Sequence, residues 1–67
     1  MRNPERLTKC YEEIKTLHAE KVPDWRIGQL FINFIRWHDF VYRTDTFYIE
    51  EDEFIKRFKE FLESSVE

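Results

Sequence analysis

The run of bulky side chains from Ile27 to Val41 does most to limit what this chain can fold into. Turning about 100° per residue, Ile27, Leu30, Phe31, Phe34, Ile35, Trp37, His38 and Val41 fall within an arc of roughly 160°. A strand would alternate with period two, and this run does not. The spacing predicts a helix over about 25–40, reaching toward Val41, wide enough to be central with a neighbour on each flank. Trp25 and Ile32 fall outside the arc, beside Gln29, Arg36 and Asp39. Gly28, the chain's single glycine, lies at the arc's margin, where it is expected to admit a close-packed backbone.

Two more stretches share the helical period. Asn3-Pro4-Glu5 reads as a start, with Asn as cap, Pro at the first helical position and Glu at the positive end of the helix dipole. Leu7, Cys10, Tyr11, Ile14, Leu17, His18 and Lys21 then mark one face of a helix over about 4–21. Pro23 disfavours helical geometry at Val22, and Asp24 is placed to cap the next helix. Near the other end, Phe54, Ile55, Phe58, Phe61 and Leu62 repeat as one stripe of a third helix, about 51–63, with Lys56, Arg57 and Lys59 expected to point away. Residues 41–49 form an extended junction, in which Phe47, Tyr48 and Ile49 are expected to cover the core. Residues 64–67 are expected to fray.

Glu50, Glu51, Asp52 and Glu53 stand in a row. With Glu50 as cap, the other three occupy the first turn, where carboxylates meet unpaired N–H groups. Glu53 is spaced to reach back as in a capping box, and Ile49 and Phe54 have the spacing of a hydrophobic staple. Successive residues on a helix point about 100° apart, so four in a row do not converge on a cation. A calcium loop needs ligands at alternating positions and a glycine for its bend. The string reads as a helix start.

At 67 residues the chain is one domain, a single all-α unit of three small helices. Aromatics at 18% supply the bulk that so short a chain needs for a core. The net charge of −3 does not favour a polyanion over the whole surface, although residues 1–43 lean basic. One cysteine excludes an intrachain disulfide and suits a reducing compartment, so a cytoplasmic location is expected. No apolar run approaches the roughly 20 residues that span a bilayer, and no membrane partner is expected.

Cys10, His18, His38 and Asp39 carry the remaining ligand or nucleophile chemistry. Their spacing matches no zinc or di-iron pattern, and neither a glycine-rich nest nor a nucleophile elbow accompanies them. Cys10 reads as a core filler; both histidines read as hydrogen-bonded residues at the edge of the core. No catalytic residue, metal or cofactor is expected, and the chain is read as a non-enzyme. Three short helices enclose roughly fifteen to eighteen side chains, fewer than the bulky residues present. Trp25, Ile32, Trp37 and Tyr42 are therefore candidate partner-binding residues, for another protein or a second copy. Arg26, Gln29 and Arg36 form a candidate polar motif. The helix–turn–helix layout around Val22-Pro23-Asp24 makes nucleic-acid binding the alternative, although a recognition helix should be less apolar.

The stretch "VPDWRIGQLFINFI", followed by "DTFYIEEDEFIKRFKEFL", resembles a group of short bacterial and phage proteins. These share a Pro-Asp-x-Arg-x-Gly-Gln-Leu segment, an Asp-Pro-Phe-Tyr-like junction and an acidic helix start. The likeness covers most of the chain and rests on Pro23, Asp24, Arg26, Gly28, Gln29, Leu30, Phe47, Tyr48 and Glu53. It departs at Thr46, where the group's pattern has Pro. The group has no established activity, so the resemblance implies no catalytic residues. It draws attention to Arg26 and Gln29, for which the expected roles are structural: an ion pair for Arg26 and a bond to junction backbone for Gln29.

Overall fold

The computed structural model describes residues 2–65. They form three α-helices, α1 (Glu5–Lys21), α2 (Ile27–Tyr42) and α3 (Glu51–Ser65), with a 3-10 turn at Thr46–Tyr48 between the last two. The fold is all-α, with no strand among the described residues.

Asn3 starts α1 as its side chain predicts. Its Oδ1 accepts the Glu5 N–H at 2.9 Å, with Pro4 in between where its missing N–H costs nothing. The helix stops at Val22, whose N–H still bonds to the His18 carbonyl. A turn closed by Trp25 N–H to Val22 O at 3.0 Å follows, with Pro23 at the position that favours its fixed φ. Asp24 is spent inside this turn and does not cap α2. That helix begins two residues later than expected, with Arg26 at the N-cap and no side-chain cap bond.

The second helix ends at Tyr42, later than the spacing indicated, because Arg43 terminates it in the left-handed region (φ 57°). Asp45 then accepts the Phe47 N–H at 2.9 Å and tightens the 3-10 turn. The junction is extended at Asp45 and Ile49, on either side of this turn. Phe47 and Tyr48 do not cover the core: they are 79% and 80% exposed, packed edge-to-face on each other at 4.9 Å. Ile49 alone turns inward, half-buried beside Phe54 as a staple requires. Ser64 and Ser65 belong to α3 rather than to a frayed tail; residues 66 and 67 lie outside the described residues.

The central element is α3, not α2. Both other helices pack on α3, whereas α1 and α2 scarcely touch. Arg6 pairs with Glu51 and, further along, Glu13 with Lys59, so α1 and α3 run parallel. Ile55, Phe58, Phe61 and Leu62 are buried along α3. Phe34 of α2 is the hub: fully buried, its ring lies 4.9–5.7 Å from those of Phe54, Phe58 and Phe61. Cys10, Ile14, Val22 and Leu30 complete the buried set, with Leu17, Trp25, Phe31, Trp37 and Phe54 packed against it.

Tyr11, Ile27, Ile35 and Val41, assigned to core faces by period, are exposed. Each has the phase of the core side of its helix, but α1 and α2 pack on α3 rather than on each other, which leaves these positions in water. Gly28 has the same explanation in reverse: a Cβ built there meets nothing within 4 Å, so it admits no close-packed backbone.

Candidate functional site

A polar cluster is built into the α2–α3 contact. His38 is fully buried and uses both ring nitrogens. Nε2 lies 2.8 Å from Arg57 Nη1 and Nδ1 lies 3.1 Å from Asp39 Oδ1. A guanidinium only donates, so Nε2 accepts from Arg57, and Nδ1–H donates to Asp39. The partners thus set the tautomer. Arg57 also donates from Nε to Glu53 at 2.8 Å and lies over the Tyr42 ring, 4.0 Å from its centroid. Tyr42 stacks on His38 at 5.1 Å, and its hydroxyl donates to Glu60. That bond, with burial and the charge of Glu60, raises the Tyr42 pKa above its ordinary 10.0.

The cluster corrects two expectations. His38 is interior rather than at the core's edge, although hydrogen-bonded as predicted. Arg57, read as pointing outward, turns in with its side chain 18% exposed. Its place about 40° from Phe61 around α3 was the signal available in the sequence. His18 fits its expectation: half-buried, it donates from Nε2 to the Trp25 carbonyl at 2.8 Å and ties α1 to the turn.

The four-carboxylate string disperses. Glu50 pairs with Arg2 at 2.7 Å, Glu51 with Arg6 at 3.1 Å, Asp52 accepts the Glu53 N–H at 2.8 Å, and Glu53 holds Arg57. The Glu50 carbonyl accepts the Phe54 N–H at 2.8 Å, as a cap residue does. Glu53 is drawn to the guanidinium, so the expected capping box does not form. Cys10 lies beneath a cleft of about 370 Å³ rimmed by Arg6, Lys9, Glu13 and Glu51. Burial, then Glu51 and Glu13, raise its thiol pKa above 9.0, which disfavours the reactive thiolate.

Of the four candidate partner-binding residues, Ile32 is exposed at 52%. Trp25, Trp37 and Tyr42 are half-buried; Trp25 and Trp37 pack on Phe61 at 6.2 and 5.6 Å, and Tyr42 belongs to the polar cluster. The exposed bulky residues are instead Tyr11, Ile27, Ile35, Phe40, Val41, Phe47 and Tyr48. Two clefts of about 460 and 400 Å³ share Tyr11, Ile14 and Phe31 and so form one apolar trough along α1 and α2, bounded at one end by Ile49, Glu51 and Phe54. Arg26, Gln29 and Arg36 are all exposed; among the described residues neither Arg26 nor Gln29 takes up the structural bond expected of it.

No helix among the described residues is long and apolar enough to cross a membrane. Comparison with family models, with curated proteins and with solved structures finds no match.

Proposed function

We propose that the protein is a non-catalytic protein-interaction module that works in the cytoplasm, joined to a second copy or to another protein. The observation that carries this reading is the apolar surface left in water. Tyr11, Phe40, Phe47 and Tyr48 are 64–80% exposed; at roughly 150–250 Å² per ring, these four alone expose roughly 450–750 Å². Four aliphatic side chains add to them, and a stable interface takes about 800 Å² from each partner. The trough along α1 and α2 supplies concavity. The non-catalytic part draws support from the chemistry: both nitrogens of His38 are engaged, and the thiolate of Cys10 is disfavoured.

Sedimentation equilibrium on the order of 100 µM tests self-association, and a strictly monomeric species there rejects the homodimer. A photo-crosslinking side chain at Ile27, Phe40 or Phe47, used in the source cells, tests the wider reading. Absence of a discrete adduct at all three positions rejects it.

Binding of nucleic acid is the second reading, favoured by Arg26, Gln29 and Arg36 standing exposed on α2. Salt-dependent retention on duplex DNA, weakened when both arginines become Ala, is its test.

A further inference from the structure

The outer face of α2 carries a second pattern besides the core stripe. Gln29, Ile32, Asn33, Arg36 and Phe40 follow the 3, 1, 3, 4 spacing of one helical face, turned away from Leu30 and Phe34. Arg26 adjoins it at the N-cap, and Arg43 closes it at the far end with its guanidinium 5.7 Å from the centre of the Phe40 ring. Three arginines and two large exposed hydrophobics thus line about 25 Å of helix at about 1.5 Å per residue. Of the carboxylates near this face, Asp39 is engaged by His38 and Asp45 by the Phe47 N–H, while Asp24 stands exposed beside Arg26.

Helix stability does not account for these residues. At the N-cap of α2 an Arg offers no acceptor to the free N–H groups and places a cation at the positive end of the dipole. At its C-terminus the left-handed position, normally given to Gly or Asn, holds Arg43, whose charge suits that end of the dipole but whose side chain makes the geometry costly. Ile32 and Phe40, at 52% and 73% exposure, sit where a surface helix carries polar residues.

We infer that this face is a docking surface for an acidic amphipathic helix of a different protein, one that sets carboxylates against Arg26, Arg36 and Arg43 and apolar side chains against Ile32 and Phe40. The inference rests on the interaction-module reading and names its partner's chemistry. A second copy on this face is disfavoured, because a two-fold contact sets arginine rows against each other. A duplex is disfavoured by the apolar residues within the stripe and by a chain that is −3 overall.

The test measures fluorescence anisotropy of three labelled probes with the full chain. One is a helical peptide of about 18 residues with Glu flanking a Leu stripe; the second carries Lys for Glu; the third is duplex DNA. The expected result is binding of the acidic peptide, weakened about tenfold or more by Arg36→Glu and by Ile32→Ser with Phe40→Ser, and weakened by salt. Variants are checked for unchanged helicity by circular dichroism, which their exposed positions predict. Absence of acidic-peptide binding at low salt overturns the inference, as does binding that Arg36→Glu leaves intact. If the acidic peptide is lost only on Tyr11→Ser with Ile27→Ser, the docking site is the trough; this face is then rejected and the interaction module stands. Tighter binding of DNA than of peptide, lost on Arg36→Glu, rejects both.

Discussion

Replacing Arg57 by Ala tests whether the buried polar cluster contributes to stability or merely occupies space. The side chain is 18% exposed and meets His38, Glu53 and the face of Tyr42. Without it, His38 Nε2 remains in a fully buried ring with no donor, an orphaned acceptor that costs about 1–3 kcal/mol. The Glu53 pair, one turn away and half in solvent, adds about 0.3–0.5 kcal/mol, and loss of the guanidinium from Tyr42 adds further in the same direction. A loss of about 2–3 kcal/mol follows, from a total that for 67 residues is roughly 3–10 kcal/mol at 0.05–0.15 per residue. Urea unfolding followed by far-UV circular dichroism should show the midpoint falling by about 2–3 M, given a slope of about 1 kcal/mol/M. Arg57→Lys, which keeps one donor and the charge but not the fork, should fall between. In a cycle with His38→Leu, the double variant should be less impaired than the two single losses together, because the orphaned acceptor is then removed. A loss below about 1 kcal/mol for Arg57→Ala, or additive behaviour in the cycle, refutes the reasoning.

Gly28→Ala should stabilise the chain by about 0.5–1 kcal/mol, since a Cβ there meets nothing; a lower urea midpoint would contradict this. Arg26→Ser, which supplies the missing cap acceptor, should gain about 0.5–1 kcal/mol in the same assay while weakening acidic-peptide binding. Tyr42 has a folded pKa raised above 10.0, so folding favours its neutral form. Its contribution to stability is therefore full below pH 10.0 and lost as pH climbs from there through the folded value. The ultraviolet difference between wild type and Tyr42→Phe should show a phenolate that appears only above pH 10.0, and earlier ionisation in Glu60→Gln. Cys10, with its pKa raised above 9.0, should react slowly with iodoacetamide at neutral pH and much faster in urea; equal rates would remove the argument from burial.

Helix type and the core of each helix were legible because they depend on local spacing. Cys10, Ile14, Leu30, Phe34, Phe58 and Leu62 are buried where the 3.6-residue period places them. What the period does not carry is the angle between helices. Tyr11 and Ile27 have the phase of core residues, yet both stay in water, because α1 and α2 pack on α3 rather than on each other. Asp24 and Glu53 show a second limit: each matches a capping pattern, but Asp24 is taken into a turn and Glu53 is claimed by Arg57. Arg57 shows a third: its charge suggests solvent, whereas its phase beside Phe61 turns it inward. Long charged side chains at the edge of an apolar stripe can turn inward when a buried acceptor such as His38 awaits them.

These agreements and conflicts are unevenly distributed. Along α3 the acidic first turn, the apolar stripe and the ion pairs to α1 all favour the same structure, as expected of residues selected for folding. Along α2 the buried residues of the inner face agree with the fold, while Ile27, Ile35 and Val41 beside them stay exposed. The outer face has a cation at the N-cap, an arginine in left-handed geometry at its end and two large hydrophobics in solvent. Local rules broken without compensation within the chain concentrate where a surface serves something other than folding. Arg26, Ile32, Phe40 and Arg43 share one helix face, and the arginines among them share one sign of charge, which supports the proposal that α2 presents this face to a partner. The polar cluster behind it, with His38 held by Arg57 and Asp39, fixes the rotation of α2 on α3 and hence the direction in which that face points.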